Sequence, residues 1–203
     1  MPKKELMEVV ANEVKACRKC ELWKTRSNAV PGEGSLDATT LFIGEAPGYW
    51  EDVKGRPFVG AAGKLLDTLL ADANLSRSTV YITNVVKCRP PKNRVPSPVE
   101  VKTCTPYLNR QIKTIQPEII VTLGRHATSY VLSEAGVKEV VGITKLRGEV
   151  YSVKLFGLSV SVLPTFHPAA VLHNPKYEDP LKHDFQLLKS LIEKPRQGHS
   201  KSK

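Results

Sequence analysis

Nowhere in the 203 residues does an uninterrupted apolar run approach the ~20 residues of a membrane-spanning helix. The start, Met1-Pro-Lys-Lys-Glu, lacks the apolar core of a secretory signal, so the chain reads as cytoplasmic. Internal repeats and long linkers are missing too, which leaves a length suited to one well-buried domain over 1–194. The polar, basic end, Pro195–Lys203, carries no apolar pattern and is expected to be disordered. Cysteine is scarce, and four thiols in a reducing compartment rarely form a disulfide framework.

Acid is also in short supply. Twenty Asp and Glu face thirty Lys and Arg, a net charge of +10. The excess is concentrated between Val86 and Arg147, where eleven basic residues stand against four acidic ones. Such a field attracts a polyanion, and nucleic acid is the commonest one in a cell. A solvated basic surface kept for solubility is the plainer reading of the same charge.

The four cysteines are Cys17, Cys20, Cys88 and Cys104. The first two form C-x-x-C, a spacing that lets neighbouring thiolates hold one metal centre. The other two have fifteen residues between them, unlike the repeated short spacing of most zinc ribbons. Spacing alone leaves zinc, iron–sulfur and no shared site all open.

Apolar periodicity alternates between helix and strand. Residues 3–16 form an amphipathic helix on Leu6, Val10 and Val14, and 62–75 another on Leu65, Leu66, Leu69 and Leu70. Short β runs appear at 39–44, 80–86 and 118–123, with a pair at 150–156 and 158–163 joined by Gly157. Helices are expected from Pro98 to Ile115, stopped by Pro117, from Arg125 to about Ser133, and from about Asp179 to Ile192. This order implies a three-layer α/β/α sandwich around a central, mainly parallel four-stranded sheet. Ligands of such sheets sit beyond the carboxyl ends of the strands. Three unusual segments fall there: Gly44-Glu-Ala-Pro-Gly48, Asn84, and Phe166-His167-Pro168. Singly, each has a plain reading: a tight turn, a turn cap, a structural histidine. Phe58, in Gly55-Arg-Pro-Phe-Val-Gly60, would ordinarily belong to the core.

In combination, GEAPG, GRPFVGAAGKLLD, YITNVVKCRPP, ITKLRG and FHPAAVL, with the four cysteines so placed, resemble the family 4 uracil-DNA glycosylases from Cys17 to about Leu188. The resemblance implies a [4Fe-4S] cluster on Cys17, Cys20, Cys88 and Cys104, tying the first helix to a segment whose Arg89, Lys92 and Arg94 grip phosphates. It also implies a monomeric, nucleoid-associated enzyme of base excision repair, whose partner is single- or double-stranded DNA containing uracil.

The chemistry can be read from the residues. A base inside a duplex must be flipped out to be reached. Phe58 offers a face for stacking. An amide at Asn84 can donate to uracil O4 and accept from N3–H, a pattern cytosine does not present. His167, donating to O2, would stabilise the departing uracil anion. The turn through Glu45, Ala46 and Pro47 lies against the base, though Pro47 has no N–H to give. In another family of these enzymes an Asp that orients water stands where this chain has Ala46, so Glu45 or Glu51 takes over, or leaving-group stabilisation dominates. Glu51 is alternatively a wall against the methyl group of thymine. Val171 and Leu172 are candidate wedges for the gap in the stack, or simply the start of a buried helix. Many relatives carry Arg where this chain has His173. No lysine in these motifs offers a Schiff-base nucleophile, so a monofunctional hydrolase is expected. The rivals are a non-catalytic iron–sulfur nucleic-acid module of the same superfamily and a zinc-stabilised protein without a base pocket.

Overall fold

The computed structural model describes residues 1–137 and 142–193. The tail from Pro195, expected to be disordered, lies outside them, as do Lys138 and Glu139 of the basic stretch. Six strands of the described residues form one sheet: β1 (Glu33–Gly34), β2 (Thr40–Gly44), β3 (Tyr81–Asn84), β4 (Ile119–Leu123), β5 (Tyr151–Leu155) and β6 (Leu158–Thr165). Their order is β1-β3-β2-β4-β6-β5. The four inner strands run parallel and the two edge strands antiparallel. The expected four-stranded sheet is thus the inner part of a wider one. The hairpin partner β5 and the two-residue β1, too short for any periodic signal, complete the edges.

Among the described residues eight α-helices accompany the strands: α1 (Lys3–Ala16), α2 (Tyr49–Lys54), α3 (Ala61–Asp72), α4 (Pro98–Ile115), α5 (Arg125–Glu134), α6 (Ile143–Leu146), α7 (Pro168–His173) and α8 (Glu178–Glu193). Alternation along the strands divides the core into two layers, because successive side chains point to opposite faces. Leu41, Ile43 and Ile120 pack with Val10 and Val14 of α1, Leu108 and Ile112 of α4 and Val131 of α5. Phe42, Ile82 and Val121 face the other way, onto Leu66 and Leu70 of α3 and Phe185 and Leu188 of α8. The three-layer arrangement follows.

Local chemistry sets the helix that carries Cys104. The Ser97 side chain accepts from the Glu100 N–H while Glu100 accepts from the Ser97 N–H, a reciprocal cap just ahead of Pro98. Such a cap contributes about 1 kcal/mol. At the other end Gln116 takes a left-handed conformation, one residue before Pro117. Among the described residues no helix is long and apolar enough to cross a membrane.

Candidate active site and thiol centre

Parallel pairing brings the expected strand ends together. Gly44 of β2 lies opposite Asn84 of β3, and β6 ends at Thr165, two residues before His167. A cleft of about 370 Å³ opens there, lined by Glu45, Ala46, Pro47, Glu51, Phe58, Asn84 and His167 among others. All seven base-contact candidates therefore share one cavity, of a size suited to a small ligand. His173, where many relatives carry Arg, also lines it, as do Asn93 and Ala169, to which the sequence did not point.

Asn84 is 1% exposed, and among the described residues its Oδ1 has no hydrogen-bond partner. A buried acceptor left open costs about 1–3 kcal/mol, so an orphan at the base of a cleft marks a place for a ligand donor. Gly44 makes the space: a Cβ there would lie 2.6 Å from Phe58 Cζ and closer still to Asn84 Oδ1. Phe58 stacks against the His167 ring, centroids 5.5 Å apart at 27°.

Phe58 holds a left-handed φ of 51°, uncommon for a bulky residue. Two charged groups secure it. Glu51 Oε1 accepts from the N–H groups of Val59 and Gly60, at 2.8 and 2.9 Å. Arg77 donates to the carbonyls of Pro57 and Phe58. Gly63 lies directly beneath, where any Cβ would overlap the Phe58 carbonyl. The role of Arg77 gave no sequence signal, because it acts on backbone twenty residues away.

The His167 Nδ1 accepts the Ala169 N–H at 3.1 Å, so the ring proton sits on Nε2. Burial lowers the imidazole pKa to about 4, with Glu51 pulling weakly the other way. Glu45, by contrast, has its carboxyl raised by burial, offset by His126 and Arg125. Its Oε2 stands 3.8 Å from His126 Nε2.

The four cysteines surround one cavity with Val14, Trp23, Lys87 and Tyr107. Burial pushes the Cys104 thiol up to about 12, against the pull of the Lys87 ammonium and N–H. Holding it as a thiolate requires a strong positive centre. Among the described residues no three Cys, His, Asp or Glu side chains gather as tightly as a single ion needs. Four cysteines lining one cavity are a ligand set that either a zinc ion or an iron–sulfur cluster takes. Arg26 donates to Cys88 Sγ at 2.9 Å and the Lys87 N–H to Cys104 Sγ at 3.2 Å, the outer-shell bonds such a centre uses.

The basic stretch is less available than its charge suggests. Lys87 is wholly buried, donating to Thr83 Oγ1 at 2.6 Å, Asn84 O at 2.8 Å and Gln111 Oε1 at 2.6 Å. Arg94 pairs with Glu100, Arg110 with Glu13 and Arg147 with Asp184. Arg89 bonds Asn93 and covers the Tyr49 ring, and Lys92 is exposed. Leu172 is 52% exposed on α7, whereas Val171 is 7% exposed and packs into the core. A wedge must reach out, so of that pair the core has claimed Val171 and left Leu172.

Residues 31–189 match the family model described as the uracil DNA glycosylase superfamily. The chain is 51% identical to the type-4 uracil-DNA glycosylase of Saccharolobus solfataricus, over 92% of this chain and 86% of that one. It is 47% identical to the type-4 enzyme of Archaeoglobus fulgidus, over 94% and 95%. With the type-4 enzyme of Thermotoga maritima the figures are 46% identity over 95% and 97%.

Proposed function

The chain belongs to the uracil-DNA glycosylase superfamily, and on that premise we propose that it hydrolyses the N-glycosidic bond of uracil in DNA, the first step of base excision repair. The observation that carries this reading is the unpartnered Oδ1 of buried Asn84, beside a neutral histidine and an aromatic face. Uracil, flipped from the stack, lies on Phe58; its N3–H meets Asn84 Oδ1, and the amide NH2 reads O4. Cytosine offers an unprotonated N3 and an amine at those positions, leaving Asn84 mismatched.

As the glycosidic bond lengthens, negative charge gathers on uracil O2. A neutral His167 donates from Nε2 to that charge while its unprotonated Nδ1 keeps the Ala169 N–H. Glu45, at the cleft with a raised carboxyl pKa, is assigned the attacking water. Glu51 is assigned the wall: its Oε1 is already committed to Val59 and Gly60, so it fixes the loop that encloses the ring's edge. No lysine lines the cleft among the described residues, which favours simple hydrolysis over strand cleavage. Leu172, Arg89, Lys92 and Arg94 are assigned to the DNA strand. Arg94 pairs with Glu100 at 45% side-chain exposure, so a phosphate can compete for it.

Cys17, Cys20, Cys88 and Cys104 would hold a [4Fe-4S] cluster. When bound, it supplies a covalent cross-link between the end of α1 and the 88–104 segment. Lys87 carries that restraint to the pocket, since its N–H bonds Cys104 and its ammonium bonds the Asn84 carbonyl.

The test is an oligonucleotide with one uracil, incubated with the protein and then heated in alkali. Breakage at that position only after alkali is expected. An unbroken strand would overturn the reading, and breakage before alkali would replace hydrolysis by a lyase.

A further inference from the structure

Helix α2 has two sides with different tasks. Glu51, with Gly48 just ahead of the helix, lines the uracil cleft. The other side shows solvent Tyr49 at 52%, Trp50 at 53% and Val53 at 44% exposure. Large apolar side chains clustered in the open usually mark a contact surface. The Tyr49 and Trp50 rings meet edge to face, centroids 5.1 Å apart, which fixes both planes.

Cations ring this pair. The Arg89 guanidinium lies 5.1 Å over the Tyr49 ring. A shallow groove runs from Trp50 past Val59, Gly60 and Ala61, and carries Lys54 and Lys64. Neither lysine has an ion-pair partner among the described residues, whereas nearby Arg56 and Arg77 are both tied to Glu33. Trp50 rests against Gly60, whose N–H is held by Glu51. The groove and the cleft are therefore two sides of one loop.

We propose that Trp50 is a stacking platform for the unpaired base next to the uracil, with Lys54 and Lys64 taking the phosphate beyond it. Covalent connection requires the neighbouring nucleotide to leave the cleft within one backbone step, and this groove adjoins it. Free cations bordering an exposed aromatic face are what single-stranded DNA binds, by electrostatic attraction and sequence-tolerant stacking. A base still paired in a duplex cannot lie flat on Trp50, so the platform favours single-stranded substrate. The inference rests on the uracil reading above.

The test uses single-stranded oligonucleotides carrying one uracil, with the base on its 5′ or its 3′ side present or removed. Wild-type protein is expected to lose about tenfold in kcat/KM when the base on one of those sides is missing. Trp50→Ala should lose about tenfold on the intact strand and nothing further on the strand lacking that base, while Trp50→Phe keeps most of the effect. On duplex substrate Trp50→Ala should change little. Losses that multiply, or no loss from either missing base, would overturn the platform. Failure of wild-type protein to release uracil from the intact strand would instead overturn the uracil reading.

Discussion

The backbone N–H of Ala169 donates to Nδ1 of His167 across 3.1 Å, and so places the imidazole proton on the nitrogen left for a ligand. Burial reinforces this by holding the ring's pKa near 4. Between that value and the ordinary 6.5, the unfolded chain takes up a proton that the folded chain refuses. The stability this histidine contributes is thus complete above pH 6.5 and lost as pH falls towards 4. In activity, the proposed role of Glu45 assigns it the acid limb, since burial raises its carboxyl. Single-turnover rates for Glu45→Gln should be lower but flat from pH 8 down to about 5. An inflection near 6.5 in that variant would mean an imidazolium forms in the site, against this account.

Replacing Asn84 or His167 by Ala should cut uracil release by about 10²-fold or more if, as proposed, each group acts on the base or the leaving charge. DNA affinity, which comes mainly from phosphates and stacking, should change only severalfold. Paired measurements of single-turnover rate and oligonucleotide binding decide this. Equal losses in both would contradict the assigned roles.

Gly44→Ala makes a sharper test of the cavity. Its methyl group would press on Phe58 Cζ and on Asn84 Oδ1. Activity should fall at least tenfold, while the melting temperature falls by only a few degrees. Full activity in the alanine variant would show that the space above Gly44 is not where the base lies.

For the thiol centre, purified protein is expected to be brown, with broad visible absorbance and four irons per chain. Cys104→Ala should lose the colour and melt well below wild type, since the link from α1 to the 88–104 segment goes with it. A colourless wild-type protein containing one zinc would contradict the cluster assignment.

Much of this was legible in the sequence. Strand–helix alternation implies the parallel sheet, and the rule for strand carboxyl ends brings Glu45, Asn84 and His167 to one cleft. Helix α4 could be bounded from Pro98 and Pro117 because proline acts locally. The two-residue β1 and the six-residue α2 escaped, being too short for a period to declare itself. Counting charge along the chain misjudged the basic face, since Lys87 turns inward to three oxygen acceptors and Arg147 to Asp184. Val171 and Leu172 are neighbours in sequence, yet the turn of α7 sends one to the core and the other to solvent. The clamp of Glu51 and Arg77 on the Phe58 loop depends on backbone groups, which sequence patterns do not display.

The central claim is that the cleft selects uracil by its N3–H and O4 and releases it as an anion. Chromatography of the free base released from matched oligonucleotides carrying U, C or T at one position tests this most directly. The account predicts uracil alone, from both single strands and U opposite G, with cytosine and thymine retained. Release of cytosine at a comparable rate, or of no base at all, would contradict it.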